Sequence, residues 1–386
     1  MFDFYFNTRI KFGSKSSAAL MNALESESWR NIGIVVDQNL VSVDSVKNLI
    51  AEIEKTAHKV IVSRCSVSEP TYEYLEVIRK DFVSPDLDAI IGIGGGSALD
   101  TAKAMAVLLH NKKPAIEYRG FNRMTEKVLP IIAIPTTAGT GSEITPNASF
   151  VDAVAKKKLG INGEAVRPRY AFLDADLTLS CPLRPTVSAA ADSIVHAVEA
   201  YVAKKSNPMA KLFAAEGIKR VFHSLPLVAN NLQDIDHREE VMLGAFMAGV
   251  ALMNSGTGPA AALSYPLGVH FKVPHGIGGA IFLPKVIHHN IEGGFFGYAE
   301  LFDVLHSDCS GPRSDEQKSR LFLEEMENLW QRVSIPDNVA ECGLKVDFLD
   351  QFANETMELK GALDQNPVVF NENSIFGILA ELKVAK

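Results

Sequence analysis

A short β-branched run followed by a stretch with helical spacing occurs three times early in this chain, at residues 31–37 then 42–54, 59–63 then 72–82, and 89–93 then 99–109. A fourth run covers residues 129–134. The third of them, Ala89-Ile90-Ile91-Gly92-Ile93, contains no polar side chain. A strand without apolar and polar alternation has no face to give to water, so it must be covered on both sides. Strands of that kind, alternating with helices, predict a parallel sheet with helices on both faces. Residues 2–13 alternate apolar and polar side chains and read as an opening strand or hairpin, 149–161 as a strand-like pair split by charges, and 170–173 as the last strand of the region.

Beyond Cys181-Pro182-Leu183-Arg184-Pro185 the β-branched runs fade, and Ala/Leu/Met-rich helical segments follow at 210–222, 238–253, 320–333 and 347–358. A length of 386 residues suits two domains. The expected organisation is a Rossmann-like α/β dinucleotide-binding domain over residues 1–181 and an all-α domain over 182–386 that carries metal and substrate sites. No internal repeat interrupts this plan, and residues 310–316 read as an exposed polar loop.

The net charge of −8, with Lys156-Lys157-Lys158 as the densest basic run, argues against nucleic acid or an anionic membrane as partner. No stretch reaches the ~18 uninterrupted apolar residues of a membrane span, and the first residues do not read as a secretory signal. A cytoplasmic protein is therefore expected. Cys65, Cys181, Cys309 and Cys342 form no C-x-x-C pair, so any metal is expected on nitrogen and oxygen ligands.

Chemistry concentrates in three places. Gly94-Gly95-Gly96-Ser97, with Asp100 and Lys103 downstream, joins the third strand to its helix. Glycines there allow close backbone approach, and helix-start N–H groups attract an anion such as a pyrophosphate. Ser97 with Asp100 also reads as a capping box, and the spacing is not G-x-G-x-x-G. Pro135-Thr136-Thr137-Ala138-Gly139-Thr140-Gly141-Ser142 follows the fourth strand, where small hydroxyl residues either line a nucleotide crevice or make a polar turn. Asp37, ending the first strand, stands either as an acceptor for a ribose hydroxyl or as a turn residue.

The third place is the alanine-rich helical run 189–201, which sets Asp192 and His196 four residues apart on one face. An aspartate in such a run needs a partner, either a divalent cation or simply the neighbouring histidine. Pro274-His275-Gly276 places another histidine in a tight turn that fixes its ring direction.

Together with Phe12-Gly13 and Pro266-Leu267-Gly268, these motifs span almost the whole chain, and the sequence resembles the iron-containing (group III) alcohol dehydrogenase family. That family is related in fold to glycerol dehydrogenase and dehydroquinate synthase. The resemblance implies that Gly95, Gly96 and Ser97 meet the pyrophosphate of NAD, that Thr136, Thr137 and Ser142 line its site, and that Lys158 lies near the nicotinamide ribose. Asp192, His196 and His275 are then ligands of Fe2+ or Zn2+, acting as a Lewis acid while hydride passes between an alcohol and nicotinamide.

Two positions depart from the family pattern. Family members usually carry His-x-x-x-His before Pro-Leu-Gly, where this chain has Ala261 and Tyr265. His270 then stands either as a fourth ligand or as a substrate contact, and Tyr265 as a hydrogen-bonding partner of the substrate hydroxyl. The altered face at Ala261 and Tyr265 leaves more room on one side of the metal and suggests a substrate larger than ethanol, such as a sugar or sugar acid. The family's 3-deoxy-octulosonate (Kdo) 8-oxidases, which form an aldehyde, are one such alternative. Others are a lyase like dehydroquinate synthase and a metal-free nucleotide-binding protein. The family habit also implies a homo-oligomer, most simply a dimer.

Overall fold

The computed structural model describes residues 1–82, 86–306 and 313–382. They form two compact units, one of Phe6–Pro182 and one of Met1–Tyr5 with the chain from Leu183 onward. Cys309 and residues 310–312 of the expected polar loop lie outside the described residues, and Cys65, Cys181 and Cys342 are free thiols.

In the first unit the elements run β1 (Arg9–Phe12), α1 (Leu20–Ser26), β2 (Asn31–Asp37), α2 (Asp44–Thr56), β3 (Lys59–Cys65), α3 (Tyr72–Arg79), β4 (Ala89–Gly94) and α4 (Gly96–Leu108). They continue as β5 (Gly120–Phe121), β6 (Ile131–Pro135), β7 (Asn147–Asp152), β8 (Lys157–Asn162) and β9 (Tyr170–Leu173). Six strands make a parallel sheet in the order β1-β9-β6-β4-β2-β3, and β5-β8-β7 form a smaller one. Along β4 successive side chains serve different cores. Ile91 and Ile93 pack with Leu24 and Ile53 on one face, while Ile90 packs with Leu75 and Met105 on the other. This is why the strand reads as continuously apolar.

From β2 the chain steps outward to β3 and then returns to the opposite side of β2 as β4. The direction of winding therefore switches between β2 and β4. In open α/β sheets the crevice outside the strand C-termini at such a switch is where ligands bind.

The expected opening strand is shorter than its alternation suggests, because only Arg9–Phe12 pairs with β9. The first five residues belong to the helical unit. There the Tyr5 N–H donates to Asn254 Oδ1 at 2.7 Å and Phe4 stacks on Phe213 with ring centroids 5.7 Å apart.

The helical unit continues as α5 (Leu183–Val202), α6 (Pro208–Asn230), α7 (Ile235–Ser255), α8 (Pro259–Phe271), α9 (His275–Glu292), α10 (Ala299–Leu305), α11 (Asp315–Arg332), α12 (Leu349–Met357), α13 (Lys360–Leu363) and α14 (Glu372–Glu381). The tight turn expected at Pro274-His275-Gly276 is instead the start of a helix, with Pro274 as N-cap and His275 as first helical residue. Proline fits that end because the first helical N–H groups have no intrahelical acceptor. Pro266 inside α8 and Pro284 inside α9 hid both helices from a spacing argument. Among the described residues no single helix is long and apolar enough to cross a membrane.

Candidate active site

In the α/β unit the two glycine-containing segments come together at the switch point. Gly94 has a φ of 151°, and a Cβ there would lie 2.7 Å from the Ala98 Cβ and 3.0 Å from that of Asp37, so the turn closes only with glycine. Thr137 and Thr140 pack over the same turn, their Oγ1 atoms 3.2 and 3.1 Å from where Cβ atoms on Gly95 and Gly96 would stand. The Thr136 N–H donates to the Gly94 carbonyl at 3.0 Å, tying β6 to β4 at this end. The helix α4 begins with Gly95 as N-cap and no side-chain cap. The capping box expected from Ser97 and Asp100 does not form, because Ser97 already lies inside the helix and its hydroxyl donates to the Ser68 carbonyl. The Ala98 N–H turns back to the Gly95 carbonyl at 3.1 Å, so it is the Gly96 and Ser97 N–H groups at the very start of α4 that suit an anion.

Asp100 and Ser142 act beneath this surface. The Ser142 hydroxyl donates to Asp100 Oδ1 at 2.5 Å, and Asp100 Oδ2 accepts from the Ser149 N–H at 2.8 Å. The pair clamps α4, the 136–142 loop and β7. Lys103 is fully buried below them, donating to the Thr145 and Asn147 carbonyls at 3.1 and 2.6 Å. Burial pushes its ammonium down to about 8, against which the Asp100 and Glu143 carboxylates act. Asp37 Oδ1 accepts from the Asn39 N–H at 2.9 Å, so the aspartate does serve as a turn residue while sitting at the switch point. Lys158, on β8, pairs with Glu69 at 2.9 Å.

In the helical unit Asp192, His196 and His275 each offer one ligand atom, all within 4.8 Å of one another. Asp192 Oδ1 lies 3.5 Å from His196 Nε2 and 3.7 Å from His275 Nε2. Two metal–ligand bonds of ~2.1 Å at a tetrahedral angle span about 3.4 Å, so these separations suit one cation. Both Asp192 Oδ1 and His196 Nδ1 are buried with no hydrogen-bond partner. A buried carboxylate oxygen left bare is costly, and a divalent cation satisfies it. The oxygen and imidazole donor set fits Fe2+ or Zn2+.

Helix packing makes this geometry. A Cβ on Gly276 would run into the Ser188 carbonyl oxygen and stand 2.9 Å from the Asp192 Cβ. Glycine lets the start of α9 lie directly on α5, bringing His275 to Asp192. Tyr265 packs edge-on to His275 with ring centroids 5.0 Å apart. Ala261 is buried in α8 and has no donor atom to offer.

The structure does not bring His270 into the group, which corrects its reading as a fourth ligand. It lies five residues from Tyr265, about 140° further round a helix of 3.6 residues per turn. Its Nε2 is held by Glu355 at 2.8 Å and its ring packs on Phe348 at 4.7 Å.

Two supporting residues escaped the sequence reading. Glu199, one turn beyond His196, accepts from the Gly258 and Ala260 N–H groups at 2.8 and 2.6 Å and from the Thr257 hydroxyl at 2.9 Å, anchoring the start of α8 to α5. Burial holds its carboxyl above the usual range, and these donors offset only part of that rise. A second acidic residue in the alanine-rich run was a visible signal, although its partners were not. Ser264, whose hydroxyl meets His275, carries no signal among its small neighbours.

A glycine turn suited to a phosphate and an Asp/His trio suited to a cation are features that a metal- and nucleotide-dependent oxidoreductase requires. The model for iron-containing alcohol dehydrogenase matches residues 7–175, and that for the C-terminal region of the Fe-containing alcohol dehydrogenase family matches residues 186–382, so the chain belongs to this family. It is 31% identical to the NAD-dependent methanol dehydrogenase of Bacillus methanolicus, over 84% of this chain and 85% of that protein. It is also 31% identical to long-chain-alcohol dehydrogenase 1 of Geobacillus thermodenitrificans, over 90% and 88% of the two chains. Among solved structures, the alcohol dehydrogenase from Oenococcus oeni superposes with a TM-score of 0.93 at 26% identity, covering 99% of this chain and 100% of that one. A 1,3-propanediol oxidoreductase shares the fold at a TM-score of 0.93 and 23% identity, with 99% of each chain covered.

Proposed function

We propose that this enzyme moves hydride between NAD and an alcohol larger than ethanol, with a sugar or sugar acid as the substrate class. The observation that carries the reading is the bare, buried Asp192 Oδ1 set 3.5 and 3.7 Å from two imidazole nitrogens. A divalent cation bound there supplies Lewis acidity that lowers the pKa of an alcohol hydroxyl. Asp192 offsets part of that positive charge, and His196 and His275 hold it through nitrogen. Asp192, His196 and His275 would hold such a cation with three protein ligands, the number usual in catalytic rather than structural sites. Tyr265 hydrogen-bonds the substrate hydroxyl, a role supported by its ring contact with His275. Gly95, Gly96 and the start of α4 hold the pyrophosphate, Thr137 and Thr140 cover it, and Asp37 receives a ribose hydroxyl. Lys158 contacts the nicotinamide ribose. In the oxidising direction the alcohol loses a proton and a hydride, giving a carbonyl and NADH.

The small side chain at Ala261, buried in α8, supports a bulkier substrate. A cytoplasmic dimer belongs to the same proposal, supported by the family resemblance. The test is metal analysis and NAD titration on purified protein, followed by a panel of alcohols and sugar acids read as NADH absorbance, with peroxide measured in parallel. His275→Ala is expected to lower turnover at least a hundredfold while circular dichroism stays unchanged. Full activity in that variant would overturn the assignment.

A further inference from the structure

The hydroxyl of Ser264, in α8, stands 2.5 Å from His275 Nδ1 and 2.6 Å from the carbonyl oxygen of Ala261. We propose that Ser264 is a positioning residue that sets the tautomer of His275 and so prepares its Nε2 as a cation ligand. The proposal deepens the reading of Asp192, His196 and His275 as a cation site and rests on it.

The direction of this hydrogen-bond chain follows from what each atom can do. A carbonyl oxygen only accepts, so the single hydroxyl proton of Ser264 goes to Ala261. The hydroxyl oxygen then has only lone pairs to offer His275, and Nδ1 must carry a proton to meet them. In a neutral imidazole that leaves Nε2 without one. Nε2 is the atom that faces Asp192 Oδ1 at 3.7 Å.

Were the serine proton given to Nδ1 instead, Nε2 would be protonated and closed to a cation. The Ala261 carbonyl would also lose the serine proton.

The serine has little room to turn away. It is only 1% exposed, and α9 lies directly on it. A Cβ on Gly278 would stand 2.9 Å from the Ser264 Cβ and 3.2 Å from its Cα. His196 has no comparable arrangement, since its Nδ1 is buried without a hydrogen-bond partner. Of the two imidazoles, His275 is therefore the one whose tautomer is set before a cation arrives. Ala261, standing where the family pattern has a histidine, still takes part through its carbonyl, as the fixed acceptor that orients the serine.

The experiment uses the full-length protein, first freed of metal. With 15N-labelled histidine at pH 8, the His275 resonances, assigned by their loss in His275→Ala, are expected to show a proton on Nδ1. In Ser264→Ala that preference is expected to disappear. Zn2+ affinity, measured by competition with a chromophoric chelator, is expected to fall about 10- to 100-fold in Ser264→Ala, as for loss of other groups that orient metal-bound histidines. Thermal unfolding of the metal-free variant shows whether it folds. A wild-type His275 protonated on Nε2 overturns the proposal, even if the variant fails to fold. So does equal Zn2+ affinity in wild type and variant. A wild-type protein that takes up no Zn2+, Fe2+ or other divalent ion defeats the cation-site reading instead, and the tautomer measurement still decides the role of Ser264.

Discussion

Lys103 shows how much of a side chain's behaviour depends on partners far away in sequence. Its position in the helix after the glycine turn was readable, but its burial depends on carbonyls at Thr145 and Asn147 that no spacing rule connects to it. With an ordinary value of 10.5 and a folded value of about 8, the unfolded chain binds more protons than the folded one between those limits. Stability should therefore rise with pH across that window, by up to about 3 kcal/mol if the full shift is expressed. Urea unfolding of wild type and Lys103→Met at pH 8 and pH 10 checks this, the difference between the two proteins isolating the lysine. Equal pH dependence would remove the argument. Ser264 teaches the same lesson. Asp192 and His196 were legible because four residues is one helical turn, whereas Ser264 matters only because Gly278 brings α9 against it.

Between elements, the decisive contact is that of α9 on α5. Gly276→Ala would place a methyl group on the Ser188 carbonyl and beside the Asp192 Cβ. Separating the helices is expected to cost about 1–3 kcal/mol, as overpacking of a well-filled interior usually does. It should also weaken Zn2+ binding, because His275 opens α9 and moves with it. Thermal unfolding with and without added Zn2+ separates the two effects, and an unchanged metal-induced rise in Tm would show that the helices tolerate the methyl group. The inner strands of the parallel sheet were readable because burial on both faces leaves continuous apolar runs. The helices α8 and α9 were not, since internal prolines and clustered glycines erase the periodicity while packing against their neighbours keeps them helical.

For the molecule as a whole, the chain starts in the helical unit, leaves it after Tyr5 and returns at Leu183. Alternation over residues 2–13 suggested one continuous strand and concealed this, because Phe4 and Tyr5 find their partners on α6 and α7. Deleting residues 1–5 removes the Phe4–Phe213 stack and the two hydrogen bonds between the Tyr5 backbone and the Asn254 side chain. A loss of roughly 1–3 kcal/mol is expected from an aromatic pair and two exposed hydrogen bonds. Chemical denaturation followed by tryptophan fluorescence at Trp330, which lies in α11 of the helical unit, reads it, with Trp29→Phe as background. No change in midpoint would mean that these contacts add nothing.

That same crossing has a consequence in time. On the ribosome Phe4 is made long before Phe213, and at about 5–20 residues per second the gap between them is on the order of 10–40 s. Throughout that interval the whole α/β unit can emerge and fold while the leading segment has nothing to dock on. The helical unit is thus the last to close, and until translation reaches α6 the Phe4 ring lacks the partner that shields it.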